Sequence, residues 1–244
     1  MKKNVLVCIP AFDQKIHLQT ISSIISVRDT LLKAKIGCGM IWIRDSLITR
    51  ARNKLVDIFL KKKEYTHLFF IDADIIFHPK EFIRVLLYDN PITAAGYPIK
   101  NEDAIENGDA SQGWCINFPL GKCDLSDNDK GFKKVNYAGT GFMCIERKVF
   151  ETIIKEYPAI KYKTDVIAKI NDNRESKQVI GNEEYAFFDC GIQGNGILKD
   201  PENTKRYLSE DFYFCQLWKQ CGGEIWTDLT SQLKHIGLKT YERP

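Results

Sequence analysis

Two aspartates one residue apart, Asp72 and Asp74, close the run Phe70-Ile71-Asp72-Ala73-Asp74. They follow an unbroken apolar stretch, and open α/β sheets bind ligands beyond the carboxyl ends of their strands. If extended geometry persists past Ile71, both carboxylates face one side. They could then hold a hard cation, Mn2+ or Mg2+, that also bridges to a diphosphate. A solvated strand end or a helix cap accounts for the same pair, so D-x-D alone is unspecific. A second acidic pair, Glu210-Asp211, stands after Ser209 at the opening of a helical segment, Phe212 to Gln220, that ends at Gly222-Gly223. A carboxylate there can point into a cleft and take a proton from a hydroxyl, as a general base must. Ordinary capping by Ser209 and the helix dipole explain the same residues.

Three further features join these pairs. His235, in Leu233-Lys234-His235-Ile236-Gly237, would complete a carboxylate site for Mn2+ as a neutral imidazole, although a lone histidine in an apolar setting is commonly structural. Arg52, in Ala51-Arg52-Asn53, flanks the buried stripe of its helix beside Ile48 and Phe59, and a guanidinium at a sheet edge suits a phosphate or a base edge. Spacing alone favours a surface arginine with a snorkelling stem. Gly139-Thr140-Gly141 sets two small residues between apolar flanks, where backbone can approach a sugar or phosphate closely, or where a bulge or tight turn sits.

The elements that must position these residues follow from periodicity. Val5 to Ile9, Met40 to Ile43, Leu68 to Ile71 and Ile92 to Ala95 are short apolar runs of the kind buried on both faces of a parallel sheet. Between them lie helical patterns at Leu18 to Leu32, from Leu47 to Phe59 after an Asp45 or Ser46 cap, and from Pro79 to Leu87. Strand and helix alternate, the signature of a doubly wound α/β sheet. Beyond Lys100 the pattern loosens. Residues 101–134 read as loops with a short strand near Trp114 to Phe118, Val135 to Glu146 as strand, Arg147 to Tyr157 as helix, and 160–205 as mixed and loop-rich, a place for a lid or an acceptor site.

A chain of 244 residues, 44% hydrophobic, can close one sizeable core. It reads as one domain, with 1–100 as a nucleotide-binding half and 101–244 as an acceptor-binding half. The net charge of +3 is spread along the sequence, which excludes a concentrated nucleic-acid footprint. Pro10 and Asp13 interrupt the first apolar run before it could act as a signal core, and no run reaches the ~20 residues that span a bilayer. The eight cysteines contain no C-x-x-C pair, so a soluble protein of a reducing compartment is expected, with Cys115 and Cys123 the one pair left open.

Taken in order, VLVCIPAF, RARN, FFIDADI, YAGTGFMCIER, SEDFYFCQLW with GGEIW, and LKHIG resemble the GT-A glycosyltransferases, especially the inverting family 2 type and small phage and large-DNA-virus enzymes related to it. The resemblance implies a mainly parallel Rossmann-like sheet flanked by helices. It also implies a nucleotide-sugar donor, commonly of uridine diphosphate, and Mn2+ or Mg2+ as cofactor. It leaves the acceptor unnamed, whether carbohydrate, lipid or protein, and places the protein in the cytoplasm, that of a host if the source is viral. Residue by residue, Pro10 and Ala11 would line the nucleotide pocket, Asp45 would contact base or ribose, and Arg52 would lie near the nucleotide. Asp72 would sit toward the ribose with Ala73 beside it, and Asp74 on the metal with His235, the D-x-D pair together forming the metal motif. Gly139, Thr140 and Gly141 would shape the sugar and acceptor site, and Asp211 of the Glu210-Asp211 pair would be the base. Two other classes stay open. A sugar nucleotidyltransferase also wants paired carboxylates, but its usual glycine- and lysine-rich loop is replaced here by Pro10-Ala11-Phe12-Asp13. A non-catalytic carbohydrate-binding protein needs neither pair.

Overall fold

The structure, a computed structural model, describes residues 3–11, 15–100, 113–118, 130–169, 176–201, 203–237 and 240–241. In chain order the first strands are β1 (Asn4–Ala11), β2 (Gly37–Arg44), β3 (His67–Ile71), β4 (Ile75–Ile76), β5 (Ile92–Ala95) and β6 (Ile116–Asn117). The later ones are β7 (Phe132–Val135), β8 (Tyr137–Ala138), β9 (Phe142–Glu146), β10 (Lys161–Lys169), β11 (Ser176–Tyr185), β12 (Gly191–Ile192), β13 (Tyr207–Leu208), β14 (Ile225–Asp228), β15 (Lys234–Ile236) and β16 (Thr240–Tyr241). The helices are α1 (Leu18–Lys33), α2 (Ile48–Lys61), α3 (Pro79–Leu87), α4 (Arg147–Glu156) and α5 (Glu210–Gln220).

Seven strands form the central sheet in the order β2-β1-β3-β9-β5-β14-β7. β1 lies parallel to both β2 and β3, and β14 parallel to β5. β9 is antiparallel to both β3 and β5, and β7 is antiparallel to β14. The sheet is therefore mainly parallel, with β9 and β7 reversed. Alternation along each strand divides the core in two. Leu6, Cys8, Leu68 and Phe70 pack with Leu55 and Phe59 of α2, Phe150 of α4 and Phe214 of α5. Val5, Val7, Ile9, Phe69 and Ile71 pack on the other face with Ile24, Val27 and Leu31 of α1 and Phe82 and Leu86 of α3. Because both faces are covered, these strands read as continuous apolar runs, and that is why they were legible.

Several expectations change. Val135 to Glu146 is three strands, since Tyr137–Ala138 leaves the main sheet to pair with Ile116–Asn117 while Phe142–Glu146 re-enters it. The segment 160–205 is less loop-rich than its polar composition implies, because β10 and β11 form a long antiparallel ribbon. A two-stranded ribbon presents no strong apolar period, so periodicity misses it. Ser209 occupies the N-cap position of α5 without its side chain accepting a hydrogen bond from the helix, the hydroxyl instead donating to the Asp211 carboxylate. Pro79 does open α3, where a capping box unreadable from composition joins His78 and Glu81.

The seven described cysteines are free thiols, with Cys8, Cys144 and Cys215 buried. Cys123, most of the loop expected over 101–134, and Phe12 and Asp13 lie outside the described residues. Among the described residues no helix is long and apolar enough to cross a membrane.

Candidate active site

The apolar strand β3 is buried along its whole length and delivers Asp72 at its end, where the Asp72 amide donates to the Gly141 carbonyl at 2.9 Å. The chain turns at once, with the Ile75 amide returning to the Asp72 carbonyl at 3.3 Å. Extended alternation therefore fails here, and the two carboxylates part company. Asp72 Oδ1 accepts from Arg52 Nη2 at 2.9 Å. Asp74 faces His235 and Lys100.

His235 reaches Asp74 because β15 pairs with β4, setting His235 opposite Ile75, and the Ile236 amide donates to the Asp74 carbonyl at 2.9 Å. The Nδ1 of His235 lies 2.8 Å from the Pro98 carbonyl oxygen. A carbonyl only accepts, so Nδ1 carries a proton, and Nε2 is the ring nitrogen turned to Asp74. That Nε2 is 3.5 Å from Asp74 Oδ1. Burial would raise the Asp74 carboxyl, but hydrogen bonds from His235 and Lys100 outweigh it and hold the group down at about 2.

The chemistry of these two side chains suits a hard divalent cation: one carboxylate oxygen and one oriented imidazole. Among the described residues no group of three or more His, Cys, Asp or Glu side chains gathers as a metal cage. The pair would therefore need donor oxygens to complete coordination. Lys100, which sequence reasoning missed, places its ammonium on the other oxygen of Asp74. Nothing distinguishes it among the chain's basic residues, since its partner is set by the fold.

Arg52 overturns the snorkelling expectation. It retains 3% of its surface, lies 5.2 Å from the Phe70 ring centroid, and places Nε 3.5 Å from Glu210 Oε1 while Nη2 holds Asp72. Its Nη1 is buried with no hydrogen-bond partner among the described residues. One guanidinium thus ties the end of β3 to the start of α5. Beside it, Asn53 exchanges two 2.9 Å hydrogen bonds with the Phe188 backbone, fixing α2 against the segment before β12.

Asp211 accepts from the Ser209 hydroxyl and from the Phe212 amide. Burial, and then the adjacent Glu210 charge, push its carboxyl up to about 6 against the pull of Ser209 and Arg52. Tyr97, also missed, lies fully inside between the two acidic pairs. Its hydroxyl accepts from the Gly141 amide at 3.0 Å, and its ring meets His235 edge-on at 5.4 Å. The glycines of Gly139-Thr140-Gly141 are explained by this ring. A Cβ at Gly139 would come within 2.4 Å of the Tyr97 hydroxyl, and one at Gly141 within 2.9 Å of Asp72 Oδ2. Thr140 is buried between them, its hydroxyl without a hydrogen-bond partner among the described residues.

In front of Asp72, Ala73 and Asp74 opens a cavity of about 850 Å3, floored by Pro10 and walled by residues 15–19, Ile21 and Ile48. Its far side mixes Ile16, Leu18, Ile21 and Ile48 with Lys15, His17 and Gln19, and its near side carries the carboxylates. Ala11 is buried just behind Pro10 and does not line it. Asp45 stands apart, accepting from Leu47 N at 3.0 Å and from Arg50 through two 2.6 Å bonds, so in this structure it anchors the entry to α2.

No protein-family model matches the chain, and no curated protein matches it. Solved structures do resemble it. The crystal structure of GalNAc-T7 with UDP, GalNAc and Mn2+ superposes with a TM-score of 0.50 at 14% identity, over 96% of this chain and 44% of that one. A197 from STIV gives 0.48 at 17%, over 96% and 86%. The inositol-1-phosphate CTP transferase from T. maritima gives 0.41 at 9%, over 97% and 90%. At such identities the likeness is one of fold. This chain has the GT-A-like fold, a mainly parallel central sheet with helices on both faces.

Proposed function

We propose that the chain is a glycosyltransferase that moves a sugar from a nucleoside-diphosphate sugar to an acceptor hydroxyl, with inversion. The observation that carries this reading is the convergence of one carboxylate from each acidic pair, Asp72 and Glu210, on one buried arginine, beside a cavity lined by Asp72 and Asp74. In this reading a nucleoside lies over the apolar residues Pro10, Ile21 and Ile48, with Asp72 toward the ribose. The diphosphate then falls near Asp74 and His235, which would hold Mn2+ or Mg2+. Bound there, the cation would neutralise charge developing on the departing diphosphate.

The remaining work belongs to side chains. Arg52 Nη1, buried and without a hydrogen-bond partner among the described residues, offers a hydrogen bond to a donor or acceptor oxygen. Asp211 takes the proton of the acceptor hydroxyl as its oxygen bonds to the anomeric carbon and the bond to the diphosphate oxygen breaks. A carboxyl poised at about 6 is deprotonated at neutral pH yet basic enough to help. The acceptor is unassigned by this reading.

The test is release of nucleoside diphosphate from a panel of nucleotide sugars with Mn2+. The natural chain should release it slowly, with chelator abolishing release. Asp74→Asn removes a charged ligand, so UDP affinity in Mn2+ should fall by about tenfold or more while affinity in chelator stays put. Equal affinity in all four conditions would remove the metal assignment. Release of pyrophosphate from a nucleoside triphosphate would instead identify a nucleotidyltransferase. The anomer of any transferred sugar, read by NMR, decides inversion.

A further inference from the structure

Among the described residues eleven large apolar side chains stand exposed, and eight of them fall within residues 18–48. They are not scattered. Leu18, Ile21, Ile25 and Leu32 follow one another along α1 at steps of three, four and seven residues, which sets them in one row on the flank of the helix. Leu18 keeps 81% of its surface. Along β2, the edge strand of the central sheet, Ile41 and Ile43 pack on the α2 side, so Met40 and Trp42 share the opposite face with Cys38, which packs toward α1. Trp42 keeps 62%. Leu47 and Ile48 then lead into α2, and Ile48 lines the first cavity together with Leu18 and Ile21. One apolar surface therefore runs from the rim of that cavity over α1 and β2. A single exposed leucine needs no explanation, but a contiguous group of this kind marks an interaction surface.

The charge over the same stretch selects the partner. Residues 15–50 hold six basic residues against two acidic ones, Asp29 and Asp45, an excess of four, where the whole chain has +3. Asp45 is already paired with Arg50. Arg28 falls in the row on α1 between Ile25 and Leu32, and Lys33 and Lys35 stand exposed beside Leu32. Burial raises the Cys38 thiol and the Arg28 charge pulls it back, so Arg28 lies beside β2 as well. Asp29 offsets one of these charges, and an excess remains.

A second copy of the chain is a poor occupant, since a two-fold contact would set this cationic surface against itself. An anionic bilayer meets each feature. Leucine and isoleucine side chains enter the acyl boundary, an exposed indole lies at the level of the head groups, and lysine and arginine meet anionic lipid. We propose that the surface formed by α1 and β2 docks the chain on an anionic lipid bilayer, with the rim of the first cavity at the membrane. The proposal does not rest on the transferase reading. Under that reading, docking presents the donor cavity to acceptors carried at a membrane surface.

The test is flotation of the full chain with vesicles of phosphatidylcholine alone and of phosphatidylcholine mixed with phosphatidylserine. The mixed vesicles should bind it, phosphatidylcholine alone far less, and added salt should weaken the binding. Ile25→Gln with Leu32→Gln should weaken it by about tenfold or more, and so should Arg28→Gln with Lys33→Gln. None of these four side chains lines the first cavity, so UDP affinity in Mn2+ and melting temperature should not move. Brominated phosphatidylcholine in the mixed vesicles should quench tryptophan fluorescence, and Trp42→Phe should remove most of that quenching. The proposal fails if the mixed vesicles do not bind the chain, if both lipids bind it equally, if either double variant binds as before, or if quenching survives Trp42→Phe. A dimer in the ultracentrifuge that Ile25→Gln with Leu32→Gln turns into a monomer, without vesicle binding, would give the surface to a second copy instead. Absence of UDP binding in the natural chain would remove the transferase reading and leave membrane docking standing.

Discussion

At the scale of single residues, Asp211 separates chemistry from architecture. A carboxylate that merely completes a helix start is stabilised when ionised, so removing its charge would cost about 0.3–1 kcal/mol. Here the folded carboxyl is raised to about 6, which reverses the sign. A group whose folded value lies above its unfolded one favours folding most below the unfolded value, and that advantage is gone once pH passes the folded value. Above pH ~6 the ionised Asp211 is therefore a burden on the fold. Asp211→Asn should melt at least as high as the natural chain at pH 8, and transfer should fall by roughly 10²–10⁴-fold with UDP affinity unchanged. In the natural chain kcat/KM should rise with pH through about 6, an ascending limb that the variant lacks. A variant of lower melting temperature and near-normal transfer would return Asp211 to a structural role. Both acidic pairs were legible as D-x-D and E-D. Their environments were not, because burial beside Tyr97 and ligation to Arg52 are properties of the fold.

Arg52 is the point at which elements meet, joining α2 to the end of β3 and the start of α5. Removing it would leave Asp72 and Glu210 without their cation. A fully buried partner loss costs about 3–5 kcal/mol, but these carboxylates keep 25% and 17% of their surface, so the cost should be smaller. Arg52→Met should lower the melting temperature and also weaken UDP binding, because Asp72 is no longer oriented. Loss of stability alone would make Arg52 a structural tie. The helix carrying it was readable from Ile48, Ala51, Leu55 and Phe59, yet the wheel placed Arg52 at the edge of the stripe, where surface and interior are indistinguishable. The β10–β11 ribbon was hidden for a different reason. It stands outside the main sheet, and a lone two-stranded ribbon is marginal in water. Its amides at 161–169 and 176–185 should exchange faster than those of β3 and β9, and should slow when donor and acceptor analogues bind together. Equal exchange with and without ligands would deny it a role in closure.

For the whole molecule, the alternation of strand and helix over the first hundred residues invites division into a nucleotide half, 1–100, and an acceptor half, 101–244. The sheet is not divided that way. β9 comes from the second half and lies between β3 and β5, both of the first, while β14 extends the same sheet from the outer side of β5. Sequence order could not reveal this insertion, since an apolar strand carries no label for its neighbours. Without β9, β3 and β5 would face each other across a missing strand, and Phe69 would lose the Phe142 ring 4.9 Å away. Without β15, Asp74 would lose His235. A chain ending at Lys100 should therefore aggregate or lack a cooperative melt, where the full chain shows one. Adding 101–244 in trans should restore the melt and metal-dependent UDP binding together, because one insertion completes both core and site. In the full chain, ligand at a hundred times its Kd should add about 2.7 kcal/mol of stability, and chelator should remove that gain. A fragment 1–100 that melts cooperatively and binds UDP alone would show that the halves are separable units, and that β9 decorates a sheet able to stand without it.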